Sequence, residues 1–482
     1  MMLHARRRSR GWLALAITAC GLAAAPAHAS TYYVDARTGD DAAAGTAPSG
    51  AWRTFRNLEA RSFQAGDSIL FARASSYTGG FTFASSGAPG RPIVFAPYGV
   101  GPAPSFTNPS WSVLNGNIFR VLGSWIVIEG LYFHDNTNPP PPDRANLNVQ
   151  KMGAVYLGRG ADHDVVRECE FYRSPVGIKV KGSWDVVTRN YLHDAPEPMG
   201  RTWGAIAIMI VAPHNEVSYN RITNYGYYGG AYATDGGAIE LDGVDPDFDG
   251  RDILIHHNVS IGNHGFLELA GRSTDSVTIA YNVSDDVDKF VGGGAMMHTV
   301  VEHNTVIRTR EPNADPYVFW TFYPDRTSFQ VRYNIFVLAP GLRVFDAADH
   351  LPGHHRRGIG DQPHDHNIYF VARTVRVDTA GLAALRRSGG VRAQAALART
   401  AALTERAGAG GGAAASVPRA PAGGVPPGGT EAMATGPIGV TAGPGDRIAD
   451  PRFVDPTRGD FRLRPDSPAR GRGACSDAAG GV

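Results

Sequence analysis

The stretch YATDGGAIELDGVDPDFDG, residues 232–250, concentrates side chains that could do chemistry. It holds six carboxylates, and Glu240 and Asp242 alternate with apolar neighbours, as residues of a β-strand do. Carboxyl groups held close together can act as general acid and base, or they can bind a cation. A solvated acidic face is the alternative, because water screens exposed charges.

The end of the same stretch resembles part of a calcium loop. Its D-x-D-x-D-G spacing, from Asp245 to Gly250, would place alternate carboxylates on one side of a tight turn. The acid expected at the twelfth position of an EF-hand loop is absent, because His256 stands there. We expect a Ca²⁺ site, with a solvated acidic turn as the alternative. Its predicted ligands are Asp242, Asp245, Asp247 and Asp249.

The elements that position these groups follow from an internal repeat. Short apolar strands recur with one register, a β-branched residue, two variable positions and an anchor, and the closest anchors are 21, 22 and 24 residues apart. That unit has the size of one coil of a parallel β-helix. A β-sandwich would not keep one register over so many units. The anchors are Gly130, Cys169, Asn190, Asn220, Asn258, Asn282, Asn304, Asn334 and Asn367. We therefore predict an all-β, right-handed parallel β-helix whose Asn side chains bond from coil to coil.

Aligning the strands that precede the anchors gives two columns on the outer face of the helix. The first reads Tyr156, Lys179, Met209, Glu240, Glu268, and the second reads Gly158, Lys181, Val211, Asp242, Ala270. Since neighbouring coils lie about 4.8 Å apart, we expect the carboxyl groups of Glu240 and Glu268 to lie about 5 Å apart. Carboxylates that close must share a proton or bind a cation.

Aromatic side chains in the insertions before these strands could bind sugar rings. The insertions 135–153, 194–203 and 224–237 leave from one corner, so they should form one wall above the columns. Rings beside carboxylates suit a sugar chain, although ordinary loop packing is the alternative. The candidate substrate-binding residues are Tyr156, Trp203, Tyr227, Tyr228, Tyr232 and His257.

The N-terminus predicts export. Four arginines precede an apolar run that ends in Ala27-His28-Ala29, so residues 1–29 read as a signal peptide, too short to span a bilayer. Cleavage before Cys20 would instead give a lipoprotein. With 46 Lys and Arg against 45 Asp and Glu, nothing indicates a nucleic-acid partner, and we expect a monomer in the periplasm or secreted, with no transmembrane segment.

Three further regions complete the predicted organisation. Residues 30–373 form the β-helix with its N-terminal cap, and residues 448–482 form the closing coil. Residues 374–447 are rich in Ala, Gly and Pro and cannot bury enough apolar surface to order themselves, so we predict a mostly disordered insertion.

Two segments resemble a known group of proteins. Residues 31–99, including TYYVDARTGDD, AGDSILF and GRPIVFAPYG, are similar to the N-terminal cap and first coils of secreted β-helix proteins of the pectate-lyase-like superfamily. Residues 448–474 are similar to the last-coil signature of the same proteins. The resemblance implies the β-helix fold; activity varies within this superfamily.

Within that superfamily, GIKVKG resembles the lysine strand of family-nine polysaccharide lyases, which implies Lys179 as the proton-abstracting base. AIELDG resembles their calcium strand, which implies Glu240 as a ligand, although the order of the two strands is reversed. LAGRS resembles a segment of family-six lyases and places Arg272 at their lysine.

Together these observations favour a Ca²⁺-dependent lyase that cleaves a uronic-acid polysaccharide by β-elimination, with Lys179 as the base, helped by Lys181. One alternative is a glycoside hydrolase that uses Glu240, Asp242 and Glu268 in the same groove. Another is a non-catalytic β-helix protein that binds glycans.

Overall fold

The computed structural model describes residues 29–136, 149–195, 198–199, 203–229, 233–313, 317–345, 357–358, 362–372, 375–389, 391–409, 440 and 443–474. The predicted signal peptide up to residue 28, with Cys20, lies outside these ranges, as does Tyr232. No helix in the described ranges is long and apolar enough to cross a membrane.

The chain is a right-handed parallel β-helix, as predicted. Each coil contributes one strand to each of three sheets, of 10, 12 and 12 strands, which we call sheets I, II and III. Nearly all pairings are between consecutive coils and parallel. The β-branched strands of the repeat suit this arrangement because they are buried on the inner face.

The strands of sheet I are Phe81–Phe83, Phe119–Val121, Val155–Leu157, Val176–Val180, Ile206–Ile210, Gly237–Leu241, Leu267–Leu269, Val291–Gly293, Phe319–Thr321 and the antiparallel Arg357–Gly358. Those of sheet II are Thr31–Val34, Ser68–Ala72, Ile93–Tyr98, Ile126–Glu129, Val165–Arg167, Val186–Thr188, Glu216–Ser218, Leu254–His256, Thr278–Ala280, Thr299–Glu302, Phe329–Arg332 and His364–Asp365. Those of sheet III are Ser76–Thr78, Ser105–Thr107, Tyr132–His134, Glu170–Tyr172, Tyr191–Ala195, Arg221–Tyr225, Val259–Ile261, Val283–Asp285, Thr305–Arg308, Ile335–Leu338, Ile368–Val371 and Arg447–Ile448.

Short strand pairs and helices lie outside the three long sheets. The pairs are Pro198–Met199 with Trp203–Gly204, Tyr227–Gly229 with Ala233–Asp235, Thr274–Asp275 with Met296–Met297, Arg310–Glu311 with Arg376–Val377, and Phe453–Asp455 with Asp460–Leu463. The α-helices are α1 (Arg56–Ala60), α2 (Thr379–Ser388) and α3 (Val391–Ala409). The 3₁₀ turns are Pro48–Gly50, Leu114–Gly116, Val149–Lys151, Pro324–Arg326 and Pro456–Arg458.

The anchor side chains form the predicted ladder at the corner between sheets II and III. From Asn190 to Asn334, each Nδ2 donates to Oδ1 of the next anchor at 3.0 Å, and Asn367 ends the run on Asp446. Cys169 occupies one rung and donates its backbone N–H to Asn190. The residue before each Asn anchor is left-handed, as at Tyr219 with φ 55°, so the Asn side chain holds a sharp corner in place.

The core lies inside the coils and is filled near the N-terminus by aromatic rings, many of them packed edge to face. Phe119 contacts Phe95, Phe106 and Phe133 with ring centroids 5.3 to 5.4 Å apart. Trp52 is fully buried in the N-terminal cap and packs on Phe63. Apolar burial of this kind, with no disulfide among the described residues, stabilises the solenoid.

The first part of the low-complexity insertion contains helices α2 and α3, which the composition did not predict. Ala, Leu and Arg are strong helix formers, and Asp378 caps α2 by accepting the N–H of Ala380. Leu385 and two alanines of α3 pack beside Tyr228. Arg399 of α3 is ion-paired at 3.0 Å with the buried Glu311, so polar docking supplements a small apolar contact.

Residues 448–482 were predicted to form the closing coil, and the structure describes them up to residue 474. In the structure only Arg447–Ile448 joins sheet III, and the next two strands form an antiparallel hairpin. Phe453 and Phe461 of this hairpin pack with Ile335 and Ile368 in a satellite cluster. The hairpin thus packs beside the last strands of sheet III.

Candidate functional site

The predicted outer column of sheet I is present in the predicted register. Tyr156, Lys179, Met209, Glu240 and Glu268 are Cα partners on consecutive strands. Strand spacing therefore places the backbones of Glu240 and Glu268 about 4.8 Å apart. The column is largely covered, however, since Lys179 and Met209 are fully buried and Glu240 is 6% exposed.

Glu240 and Glu268 form a carboxyl pair with unequal surroundings. Burial raises the pKa of Glu240 well above its ordinary value, and the neighbouring charges of Asp242 and Glu268 raise it further. Glu268 instead makes an ion pair with Lys289, with Nζ and Oε2 2.7 Å apart, and its side chain remains 18% exposed. Burial thus favours the protonated form of Glu240, while its neighbour Glu268 is paired with Lys289.

Lys289 is a member of this site that the sequence interpretation missed. It is almost fully buried, and it approaches Gly265 so closely that a Cβ there would lie 3.2 Å from its Nζ. Lys289 follows Asp288, which accepts a hydrogen bond from Thr234 of the 233–235 strand at 2.6 Å. The sequence feature that could have indicated Lys289 is the charged run from Asp285 to Lys289, which directly precedes a strand of sheet I.

Two aromatic residues extend the column beyond Glu268. Gly292 is the next Cα partner, and the indole of Trp320, one coil further, fills the space where its side chain would be, 2.4 Å from an added Cβ. Phe322 packs edge-on against Trp320 with centroids 5.1 Å apart and is 37% exposed. Continuing the strand alignment past residue 270 would have identified both rings. They make an apolar border beside the carboxyl pair.

Lys179, the predicted base, lies in a buried ion-pair cluster. Its ammonium group hydrogen-bonds to Asp242 Oδ2 and lies 3.7 Å from Asp245 Oδ2, and all three side chains are fully buried. In this arrangement Lys179 has no surface that a substrate could touch. Its role as a base stays a prediction that requires the cluster to open.

The carboxylates of the predicted calcium loop are arranged around cations of the protein. Lys181 Nζ lies 3.1 Å from a carboxylate oxygen of Asp245 and 2.9 Å from one of Asp247. Arg251 donates to both carboxylate oxygens of Asp249, at 2.6 and 2.7 Å. No group of three or more His, Cys, Asp or Glu side chains within the described ranges could hold a metal ion. As they stand, these oxygens do not fit Ca²⁺, whose ligands must converge on one point. Calcium binding stays a prediction.

The remaining predicted residues are dispersed. Arg272 is exposed, with Nη1 3.4 Å from the carbonyl oxygen of Pro246. Trp203 is 41% exposed in its hairpin. His257 belongs to a stack of rings at the corner between sheets II and III, 4.7 Å from Tyr219 and 5.0 Å from Tyr281, and so lies away from sheet I.

Tyr227 and Tyr228 lie in the turn between sheets III and I, before the strand that carries Glu240. Both line a cavity of about 710 Å³ between the end of sheet III and α2, together with His264 and Asp378. Tyr228 packs against His264 at 4.1 Å, and burial lowers the pKa of that histidine to about 4, which keeps it neutral. The strand Trp203–Gly204 contacts both strands of the hairpin that begins at Tyr227, so these rings share one corner, whereas Tyr156 lines a different cleft and His257 lies at the corner between sheets II and III.

No family model matches the chain, and no curated protein matches it. Among solved structures, XylC in complex with xylose is 10% identical, with 72% of this chain and 76% of that chain covered and a TM-score of 0.46. The fold is shared. A lacto-N-biosidase of the GH136 family from Eubacterium ramulus is 15% identical, covering 73% and 65% at a TM-score of 0.39, and the pectate lyase Pel9A is 13% identical, covering 73% and 78% at 0.34.

Proposed function

We propose that this protein is a carbohydrate-active enzyme that hydrolyses a glycosidic bond at Glu240 and Glu268. The observation that carries the proposal is the unequal carboxyl pair on adjacent strands, in which Glu240 is buried with a raised pKa and Glu268 is paired with Lys289. Glycoside hydrolases need one carboxylic acid to protonate the leaving oxygen and one carboxylate on the sugar's other side. The sequence had indicated this hydrolase as an alternative to the lyase.

The roles follow from protonation. Glu240, with its raised pKa, donates a proton to the glycosidic oxygen as the bond to the anomeric carbon breaks. Glu268 supplies an electron pair to that carbon and forms a glycosyl ester. A water molecule, deprotonated by Glu240, then attacks the same carbon and releases Glu268. Adjacent strands hold the two backbones about 4.8 Å apart, which is compatible with the separation of about 5–5.5 Å between carboxyl groups in retaining enzymes.

Lys289 positions the reacting carboxylate in this scheme. Its contact with Glu268 Oε2 at 2.7 Å fixes one oxygen, which leaves the other for the sugar. Phe322, which is 37% exposed and packs on the buried Trp320, offers an apolar surface for the C–H face of a ring.

The predicted Ca²⁺-dependent lyase remains the second candidate, since Lys179 and Glu240 occupy one column of sheet I. Its mechanism needs a base in contact with the C5 proton of a uronic acid. Lys179 could act so only after its ammonium leaves Asp242. The hydrolase also requires the substrate to reach Glu240, which is 6% exposed, but it does not require a buried ion pair to break, and this favours it.

One assay separates these functions. Purified protein is incubated with a panel of neutral and acidic polysaccharides, with and without EDTA, while reducing ends and absorbance near 235 nm are followed. The hydrolase predicts reducing ends without new absorbance, unaffected by EDTA. New absorbance that EDTA abolishes would support the lyase instead. Binding without either product would support the non-catalytic alternative.

A further inference from the structure

A second polar cleft lies over the earlier coils of sheet I, apart from the carboxyl pair. Its volume is about 390 Å³, within the range of small-molecule sites. Its floor is Tyr156, three strands before Glu240 in the same column, which corresponds to about 14 Å at the coil spacing. The lining side chains used below are Asn117, Arg120, Lys151, Tyr156, Lys181 and Asp245.

The charges of this cleft do not cancel. Lys181 is already balanced by Asp245 and Asp247, at 3.1 and 2.9 Å. Arg120 and Lys151 remain as cations, and Lys151 is exposed. The cleft therefore has an excess of positive charge that water and salt alone would balance.

Arg120 carries the stronger signal. Its Nε is buried and has no hydrogen-bond partner among the described residues, and its guanidinium lies 5.8 Å from the ring centroid of Tyr156. A buried donor without an acceptor is costly, so such groups normally have a partner. A planar guanidinium beside a cleft suits an oxyanion that accepts two hydrogen bonds.

The walls are held in place before any ligand binds. Asn117 is buried, and its Nδ2 donates to the carbonyl oxygens of Lys151 and Gly153, at 3.1 and 2.8 Å. This contact fixes the backbone that carries Lys151 against the strand of Arg120. A site preorganised in this way loses less entropy on binding.

We propose that this cleft binds an anionic group of a sugar, either a carboxylate or a sulfate ester, through Arg120 and Lys151. This proposal rests on the proposed function. The cleft would hold an acidic glycan about three coils from the bond that Glu240 and Glu268 cleave. The site would thereby set the substrate class and the register of the chain along the β-helix axis.

Binding of monosaccharides tests this independently of cleavage, because a monosaccharide has no glycosidic bond. The wild-type protein is titrated with glucuronate, glucose 6-sulfate and glucose by isothermal calorimetry. At least one anionic sugar should bind about tenfold or more tightly than glucose. Preference for glucuronate identifies a carboxylate, and preference for glucose 6-sulfate identifies a sulfate ester. Equal affinities for all three, or no measurable binding of any, would overturn the proposal.

Matched variants locate the site. Arg120→Gln and Lys151→Ala should each weaken binding of the anionic sugar about fivefold or more, while Arg167→Ala, on the outer face of sheet II, should leave it unchanged. Lys151 is exposed, so its variant keeps the test valid if Arg120→Gln does not fold. Unchanged affinity in Lys151→Ala, or equal losses in Arg167→Ala, would refute the assignment. Anion binding with no hydrolysis on any glycan would refute only the proposed function.

Discussion

Replacing Lys179 by Met tests whether this residue is a buried counter-ion or an accessible base. Methionine keeps much of the volume of the lysine stem and removes only the charge. In the structure the ammonium hydrogen-bonds to Asp242 and lies 3.7 Å from Asp245, and both carboxylates are fully buried. The variant leaves Asp242 without its hydrogen-bonded counter-ion in a site that water does not reach.

The magnitude follows from that burial. Removing one partner of a buried ion pair costs about 3–5 kcal/mol, because the remaining charge stays desolvated. The double variant Lys179→Met with Asp242→Asn removes both charges and should recover part of that loss. Lys151→Met is the control, because an exposed lysine should change stability by no more than about 0.5 kcal/mol.

The assay is chemical denaturation of the full chain, with free energies of unfolding taken from midpoints and slopes. A loss of less than about 1 kcal/mol in Lys179→Met would refute the counter-ion role, because the pair would then contribute no more than a surface contact. Equal losses in the single and double variants would show that Asp242 is not the partner that matters.

Three further predictions concern the carboxyl pair and the ladder. Lys289→Met should lower kcat on a hydrolysed glycan about tenfold or more with less effect on KM, because Glu268 loses the contact that orients it; equal kcat would contradict this. Asn282→Ala leaves at least two buried groups without partners and should cost about 2–6 kcal/mol in denaturation, whereas the exposed Asn224→Ala should cost far less. Because the pKa of Glu240 is raised in the folded protein, the folded state keeps this proton above about pH 4.5, where the unfolded chain releases it. The contribution of Glu240 to the stability of the protein is therefore lost as the pH rises towards the folded-state pKa. Stability of Glu240→Gln relative to wild type should therefore increase in that window, by up to about 1.4 kcal/mol per pH unit; a pH-independent difference would refute it.

The repeat predicted the fold and the register because its causes are local. An Asn at each corner bonds to the next coil whatever lies outside, so the anchors from Asn190 to Asn367 could be read from spacing alone. Strand alternation likewise placed Glu240 beside Glu268. These features depend on the coil itself and not on the insertions.

Burial and pairing on the outer face could not be read in the same way. Whether Lys179 faces solvent depends on where Asp242 and Asp245 place their oxygens, and strand alternation gives no information about that. The helices after residue 378 depend similarly on distant partners, such as Glu311 for Arg399. Such contacts are set by the paths of insertions between coils.

The most direct test of the account is hydrolysis by Glu240→Gln and Glu268→Gln on the glycan that the wild type cleaves. Both variants remove one carboxyl group and keep the side-chain shape. The account predicts that each lowers kcat by about a hundredfold or more, since removing a general acid or a nucleophile costs at least that much. It also predicts that Lys179→Met, where folded, retains activity well above both. Wild-type turnover in either Gln variant would contradict the central role of this pair.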